Sequence, residues 1–535
     1  MLKARVLSLF IMVAIQFSLF TSPLQSSFAQ DWHLRKPQGT LKIVDLGPVS
    51  VSVMINYAEG LVTLDRDNNW VPCLAEDWRW LDDRTIEFKL RQGVTFHNGE
   101  KFNAEAVRVN WEAYRALESP RVLSTLSLSD EMILKTIDDY TVRFALPEPD
   151  SLAFVKFRWF FQAAPEFLRK HKVREKNWLY LAEAGPWCTG PFRFVHGSLA
   201  FGKVSKKVVL EAFDGYWNPQ YPKVQKVIFD NELIGNREEA MRLCRETEGQ
   251  VDIVSHIRPL DTLKVAESTF AKVAKNKDTA ILLGWFNQRM KGSKWRDIRL
   301  RKAINNAIDR EELYKYAAKG NAYNLGGHIP PGAHGYNSDL NRYTYSIGKA
   351  KALIEDAGYL NGFKVKIITP EAWRLEAQII SKMLERVGLE VEFSVLTLPE
   401  FWTKIYIPQL EKPPEELDWD IMIFLVNDWY GHTGASFLGS FLLEESDFRW
   451  IDYDPIYEGM WKDMTHTTDN DLLENKLRGL EKYVYDKAYA LFIYSPLTLY
   501  AVNKEVDFVP QKFSWLRLEE TSVTQNHWSL RGKNN

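Results

Sequence analysis

The segment "DWDIMIFLVNDWYGHTGASFL", Asp418 to Leu438, gathers more usable chemistry than any other stretch of this 535-residue chain. Six apolar residues, Ile421–Val426, read as a strand buried on both faces. Asn427, Asp428, Trp429, Tyr430 and His432 follow at once, with Gly431 and Gly434 among them. A carboxylate at such a strand end can hold an ammonium group through a charge-assisted hydrogen bond, strongly so where water is scarce. Flanking rings can stack on a flat ligand, and the glycines let the backbone turn sharply beside it. A plainer reading stands beside this one: Asp428 as a turn acid, the two rings as core, His432 as a surface loop residue.

For Asp428 to act on a ligand, its strand must belong to a sheet whose carboxyl edge borders a crevice. The downstream pattern predicts one. "DIRLRKAINNAI" reads as a helix, and Asp309 with Glu312 caps a second that stops at Gly320. Then come helix 346–357 closed by Gly358, strand 364–368, helix 371–387 closed by Gly388, strand 389–396, a short helix near 399–405, and strand 421–426. Alternation of this kind predicts an open parallel sheet with helices on both faces. In the middle of the chain "KVIFD", "NREEAMRLCRE" and "GQVDIVSHI" read as a strand–helix–strand unit with parallel pairing. Earlier, "TIEFKL" alternates as a strand does, Asn98-Gly99 marks a tight turn and Asn103 an N-cap.

Composition bounds the function. Lys+Arg 68 against Asp+Glu 70 gives a net charge of -2, no footprint for nucleic acid or an anionic membrane. The length suggests about three structural units. Residues 1–29 have the layout of a secretory signal peptide: Lys3 and Arg5, an apolar run, then Ser27 and Ala29 before the cut. No later segment is long and apolar enough to span a bilayer. An exported chain can use disulfides, but its three cysteines allow one at most. Cys73 and Cys188 lie in Pro/Gly-rich turns where a bridge would be tolerated; Cys244 lies on a helix as a small buried residue. No GxSxG elbow, HExxH helix, P-loop or dinucleotide-binding fingerprint occurs, and no His/Cys spacing suggests zinc. We therefore expect no catalytic residues, no cofactor and no metal. His97 reads as a turn residue, His328 and His334 as solvated loop residues.

A co-linear series of segments resembles family five extracellular solute-binding proteins, the peptide/nickel-type receptors of ABC importers. It runs from "YAEGLV" (57–62) and "VPCLAEDWRWLDDRTIEFKLRQGVTFHNGEKFNAEAV" through "CTGPFRFV" and "DGYWNPQYPKVQKVIF" to "IRLRKAINNAIDREEL", "IPPGAHGY", "KALIEDAGY" and "EKYVYDKAYALFIYSPLTLYAVNKEV". The resemblance implies a periplasmic-binding-protein type II-like fold, two α/β lobes closing about a hinge with an extra α/β domain inserted in the first. It assigns 31–60, 186–279 and 499–535 to lobe I, 61–185 to the inserted domain and 280–498 to lobe II. It also implies a soluble periplasmic monomer, not an enzyme, that captures a small-molecule or peptide ligand and delivers it to a membrane permease and ATPase. In peptide-binding members an Asp after this strand pairs with the ligand's α-amino group, and Asp428 takes that position; Arg121, in "ESPRVL", falls where members place a cleft-lining loop. The chain departs from the peptide-binding pattern by lacking a proline after Asp428 and carrying Gly431, His432 and Thr433. An oligosaccharide or a nickel chelate therefore stands as an alternative ligand, and an exported hydrolase or chaperone-like protein as an alternative class.

Overall fold

The computed structural model describes residues 36–47, 49–115, 128–129, 131–171, 183–200, 203–277, 280–401, 404–405, 416–426, 439, 442–444, 446, 449–512 and 515–531. Two large sheets organise these residues. The first has eight strands, in the order Ala271–Asn276, Thr498–Asn503, Ile253–Val254, Thr40–Val44, Lys226–Asp230, Lys207–Ala212, Phe192–Ser198, Glu183–Gly185. The opening strand Thr40–Val44 lies between Lys226–Asp230 and Ile253–Val254 and is parallel to both. The expected strand–helix–strand unit thus keeps its parallel sense but brackets the strand Thr40–Val44. Its helix, Arg237–Glu246, is capped by the Asn236 side chain and buries Ala240, Met241 and Cys244 at helical spacing.

The second sheet has six strands, in the order Ala322–Tyr323, Ala490–Pro496, Ile281–Phe286, Ile421–Val426, Lys364–Pro370, Glu390–Leu396. Parallel pairing is confined to the last three. Ile281–Phe286 runs antiparallel to Ile421–Val426, so the sheet is mixed where an open parallel sheet is expected. The reason is connectivity: Ile281–Phe286 arrives from the first sheet and can enter only from the edge that faces it.

Two chain segments join the sheets. Ala271–Asn276 continues through 277–280 into Ile281–Phe286, and Ala490–Pro496 continues through Leu497 into Thr498–Asn503. They run antiparallel on both sides of the crossing, with Asn276 paired to Thr498 and Leu282 to Tyr494. At the crossing the Ser495 hydroxyl donates to Ala280 O (2.8 Å) and Leu497 N donates to Asn321 O (2.9 Å). Two adjacent strands spanning a gap form a hinge.

A third, four-stranded antiparallel sheet (Ala75–Trp80, Thr85–Leu90, Thr141–Ala145, Ile133–Asp138) lies within the span 61–185. Phe88, Phe144, Phe157 and Trp111 pack edge to face beneath it. Of two histidines, His97 lies in the expected turn, whereas His328 is not the solvated loop residue expected. His97 is buried, its Nε2 against Gly190 O (2.9 Å) and its ring against Phe213, and burial lowers its pKa to about 4. His328 is 1% exposed, and burial lowers its pKa to about 3. Cys73, Cys188 and Cys244 are all buried free thiols. Among the described residues no helix is long and apolar enough to cross a membrane; the expected signal peptide lies outside them.

Candidate functional site

Strand direction fixes which edges of the sheets face each other. Val426, at the carboxyl end of Ile421–Val426, pairs with Ile281, the first strand residue beyond the hinge. Lys364–Pro370 and Glu390–Leu396 run parallel to that strand and end on the same edge. In the first lobe, Ala271–Asn276 runs toward the hinge antiparallel to Thr498–Asn503, which is itself antiparallel to Ile253–Val254. Ile253–Val254 therefore also points at the hinge, and so do its parallel neighbours Thr40–Val44 and Lys226–Asp230. The carboxyl edges of the two sheets confront each other across two connecting strands. This is the edge at which α/β sheets bind ligands, here present twice.

Apolar side chains from both sides meet there. Val51, Leu152, Val155, Trp159 and Trp515 from the first lobe and its inserted domain share one buried cluster with Ile281, Leu283, Met422 and Val426 of the second lobe. Trp159 and Trp515 contact edge to face at 5.4 Å. At the margin of the cluster the inserted domain also makes polar contacts with the second lobe: Ser151 N donates to Thr465 O (2.7 Å), and His466 Nε2 lies 3.1 Å from Glu148 Oε2. On the flank of the hinge, a gap of about 630 Å³ separates Thr262 and Leu263 of one lobe from Glu311, Tyr314 and Lys319 of the other.

Two polar groups border this region. At the carboxyl edge of the first lobe, Asp45 accepts from Gly47 N (3.0 Å) and from the Ser255 hydroxyl, with His256 Nδ1 3.7 Å away. Burial raises the Asp45 pKa, but the His256, Ser255 and Ser52 contacts outweigh it and hold the carboxyl below its ordinary range. Deeper in the same lobe, Glu59 Oε1 accepts from Tyr216 OH (2.8 Å) and Trp217 Nε1 (3.1 Å). Burial pushes this acid up to about 7. Beside it is a cavity of about 40 Å³ whose lining includes Cys73, Arg158, Arg517 and Glu519. It has room for a few water molecules at most, so it is no seat for a peptide.

Asn427, Asp428, Trp429, Tyr430, His432 and Arg121 all lie outside the described residues. What can be traced is Val426, the last described residue before Asn427, on the hinge-facing edge. The polar groups that sequence reasoning passes over, Asp45, Ser255 and His256, follow the strand segments "LKIV" and "VDIV" just as Asp428 follows "IMIFLV". The same strand-end rule would have found them.

The family described as "Bacterial extracellular solute-binding proteins, family 5 Middle" matches residues 69–446. The chain belongs to this family. Among its relatives, the glutathione-binding protein GsiB of Pectobacterium atrosepticum is 29% identical over 357 residues, 65% of either chain. The match thus spans just under two thirds of that relative. The dipeptide-binding protein of Escherichia coli K12 is 22% identical over 474 residues, 82% of this chain and 83% of that one. Among solved structures, the periplasmic binding protein DppA of Helicobacter pylori, in complex with the peptide STSA, superposes with a TM-score of 0.74 at 19% identity. That superposition covers 93% of this chain and 100% of the other. Family and structure agree on the type II periplasmic-binding-protein fold expected from the resemblance.

Proposed function

We propose that the protein is an exported, monomeric receptor that closes its two lobes on a peptide or another amine-bearing solute and delivers it to an ABC permease and its ATPase. The observation that carries this reading is the pair of sheet edges facing each other across two hinge strands. A single rigid sheet can bind a ligand, but a hinged pair can enclose it, exclude water and present a different outer surface when loaded. The relatives that bind a dipeptide, glutathione or the peptide STSA support the ligand class. Export rests on residues 1–29, and delivery places the receptor in the periplasm. The protein acts by binding, without turnover of its solute.

The anchor for the ligand's amine is Asp428, with Asn427, Trp429, Tyr430, His432 and Arg121 lining the solute. The test combines two measurements. Mass spectrometry of whatever the natively purified protein releases on denaturation should find a peptide or amine. Calorimetry should then show Asp428→Asn binding it roughly tenfold to hundredfold more weakly, the scale of about 1.5–3 kcal/mol for a hydrogen bond to a charged group. Unchanged affinity in that variant would remove the amine anchor; release of a sugar or a metal chelate would replace the ligand class.

A further inference from the structure

His256 occupies a backbone conformation that is uncommon for residues with a β-carbon. Its φ is +50°, in the left-handed region, where residues with a β-carbon are rare outside turns and functional sites. It directly follows Ser255 at the hinge-facing end of Ile253–Val254, and the next residue, Ile257, donates its N–H to Leu499 O of a hinge strand (3.0 Å). The ring lies over Gly47: a β-carbon there would come within 2.4 Å of its Cε1. A strained backbone and a facing glycine together put one imidazole at the edge opposite Val426.

The hydrogen bonds behind the ring fix its orientation. Asp45 as a carboxylate can only accept, so the Ser255 hydroxyl must donate to it. The Ser255 oxygen accepts from Leu46 N (3.0 Å) and has one lone pair left for His256 Nδ1, 3.0 Å away. Nδ1 is therefore the nitrogen that donates, and Nε2 of the neutral ring is an acceptor. Among the described residues Nε2 has no hydrogen-bond partner, and the side chain is 22% exposed. The His256 carbonyl is held separately by Arg237 (2.9 Å), so the strained turn is secured independently of the ring.

We propose that His256 is a ligand-binding residue of the first lobe, oriented by Asp45 and Ser255 so that Nε2 accepts an N–H of the solute enclosed between the lobes. This rests on the receptor reading above and deepens it: the solute would offer an ammonium to the second lobe and a further N–H, such as a peptide amide, to the first. A sugar hydroxyl could be accepted equally, so the probe must separate the two.

Three variants test it. His256→Asn tolerates the left-handed backbone and can still donate to Ser255, but has no atom at the Nε2 position. His256→Gly removes the strain together with the ring. Gly47→Ala leaves His256 in place and displaces its ring. Each is titrated calorimetrically with a dipeptide panel, reduced glutathione and maltotriose, and melted without ligand. The expected result is a tenfold or greater loss of peptide affinity in all three, with the melting temperature of His256→Gly equal to or above that of the parent. Peptide affinity within threefold of the parent in His256→Asn would overturn the proposal, as would a lower melting temperature for His256→Gly, the mark of a packing residue. A parent that binds neither the dipeptides nor glutathione would show, before any variant is made, that the peptide ligand class has failed and this inference with it.

Discussion

At neutral pH the Glu59 carboxyl is shared between its two protonation states, because burial lifts its pKa from an ordinary 4.5 to about 7. Between these values the folded protein holds a proton that the unfolded chain has released. Stability contributed by this group is therefore complete below about pH 4.5, falls as pH rises through the interval, and levels off above about 7. The interval corresponds to roughly 3 kcal/mol. Glu481, which accepts from Ile329 N (3.0 Å) and Asn337 N (2.8 Å), is raised to about 7 as well, so the parent carries both slopes. Glu59→Gln, which keeps an acceptor for Tyr216 and Trp217, should remove one of them. In urea titrations the variant should gain roughly 3 kcal/mol on the parent between pH 4.5 and pH 7.5, and parallel stability curves would refute a titrating Glu59. Glu481 also accounts for a misread residue. His328 sits among glycines and prolines in "GGHIPPGAHGY", a composition that reads as solvated loop. The structure draws that loop inward through the two backbone bonds to Glu481, 152 and 144 residues away, a partner no local window contains.

Asp454 does for elements what Asp45 does for one ring. Its Oδ1 caps helix Pro455–Thr465, accepting from Ile456 N (3.0 Å) and Tyr457 N (3.2 Å). Its Oδ2 accepts from Tyr483 on helix Asn470–Asp486 (2.8 Å) and from Tyr489, just before strand Ala490–Pro496. One carboxylate thus sets the spacing of two helices and a strand. Asp454→Ala should cost about 2 kcal/mol or more, a lost cap plus two stranded hydroxyls, and lower the thermal midpoint; an unchanged midpoint would show that water replaces all four bonds. Such caps are also where the sequence is most legible. Asp309, Asn236 and Asn103 mark their helix starts, Gly358 and Gly388 adopt positive φ past their helix ends, and the six apolar residues 421–426 coincide with a strand. Signals carried by one or two neighbouring residues can be read directly. Strand direction cannot: Ile281–Phe286 runs antiparallel because of where the chain crosses between sheets, and "GQVDIVSHI" pairs over only Ile253–Val254 before the left-handed turn at His256. At the candidate site, the strand-end rule applied to the sequence leads to the edge that Val426 reaches and to Asp45, but not to the partners of Asp45, which lie 210 and 211 positions away.

For the receptor proposed above, the equilibrium between parted and closed lobes sets affinity, since a receptor that encloses its ligand binds in proportion to the fraction of closure-competent protein. The contact between the inserted domain and the second lobe bears on that equilibrium. The Glu148–His466 pair has side chains 60% and 27% exposed, so it contributes at most about 1 kcal/mol. Leu152 next to it is 3% exposed and shares the apolar cluster with Met464, Tyr457 and Trp461 of the second lobe. Truncating a leucine in such a setting costs about 2–5 kcal/mol when its whole environment is lost. Where that environment is supplied by the opposing lobe, the cost falls on the closed form alone. Leu152→Ala should therefore weaken solute binding tenfold or more and enlarge the ligand-saturated radius of gyration in small-angle scattering, while shifting the ligand-free melting temperature little. His466→Ala should alter affinity less than threefold. A Leu152→Ala protein that melts markedly lower without ligand, yet binds with parental affinity and compactness, would show that the leucine stabilises the inserted domain alone and that this contact exerts no hold on closure.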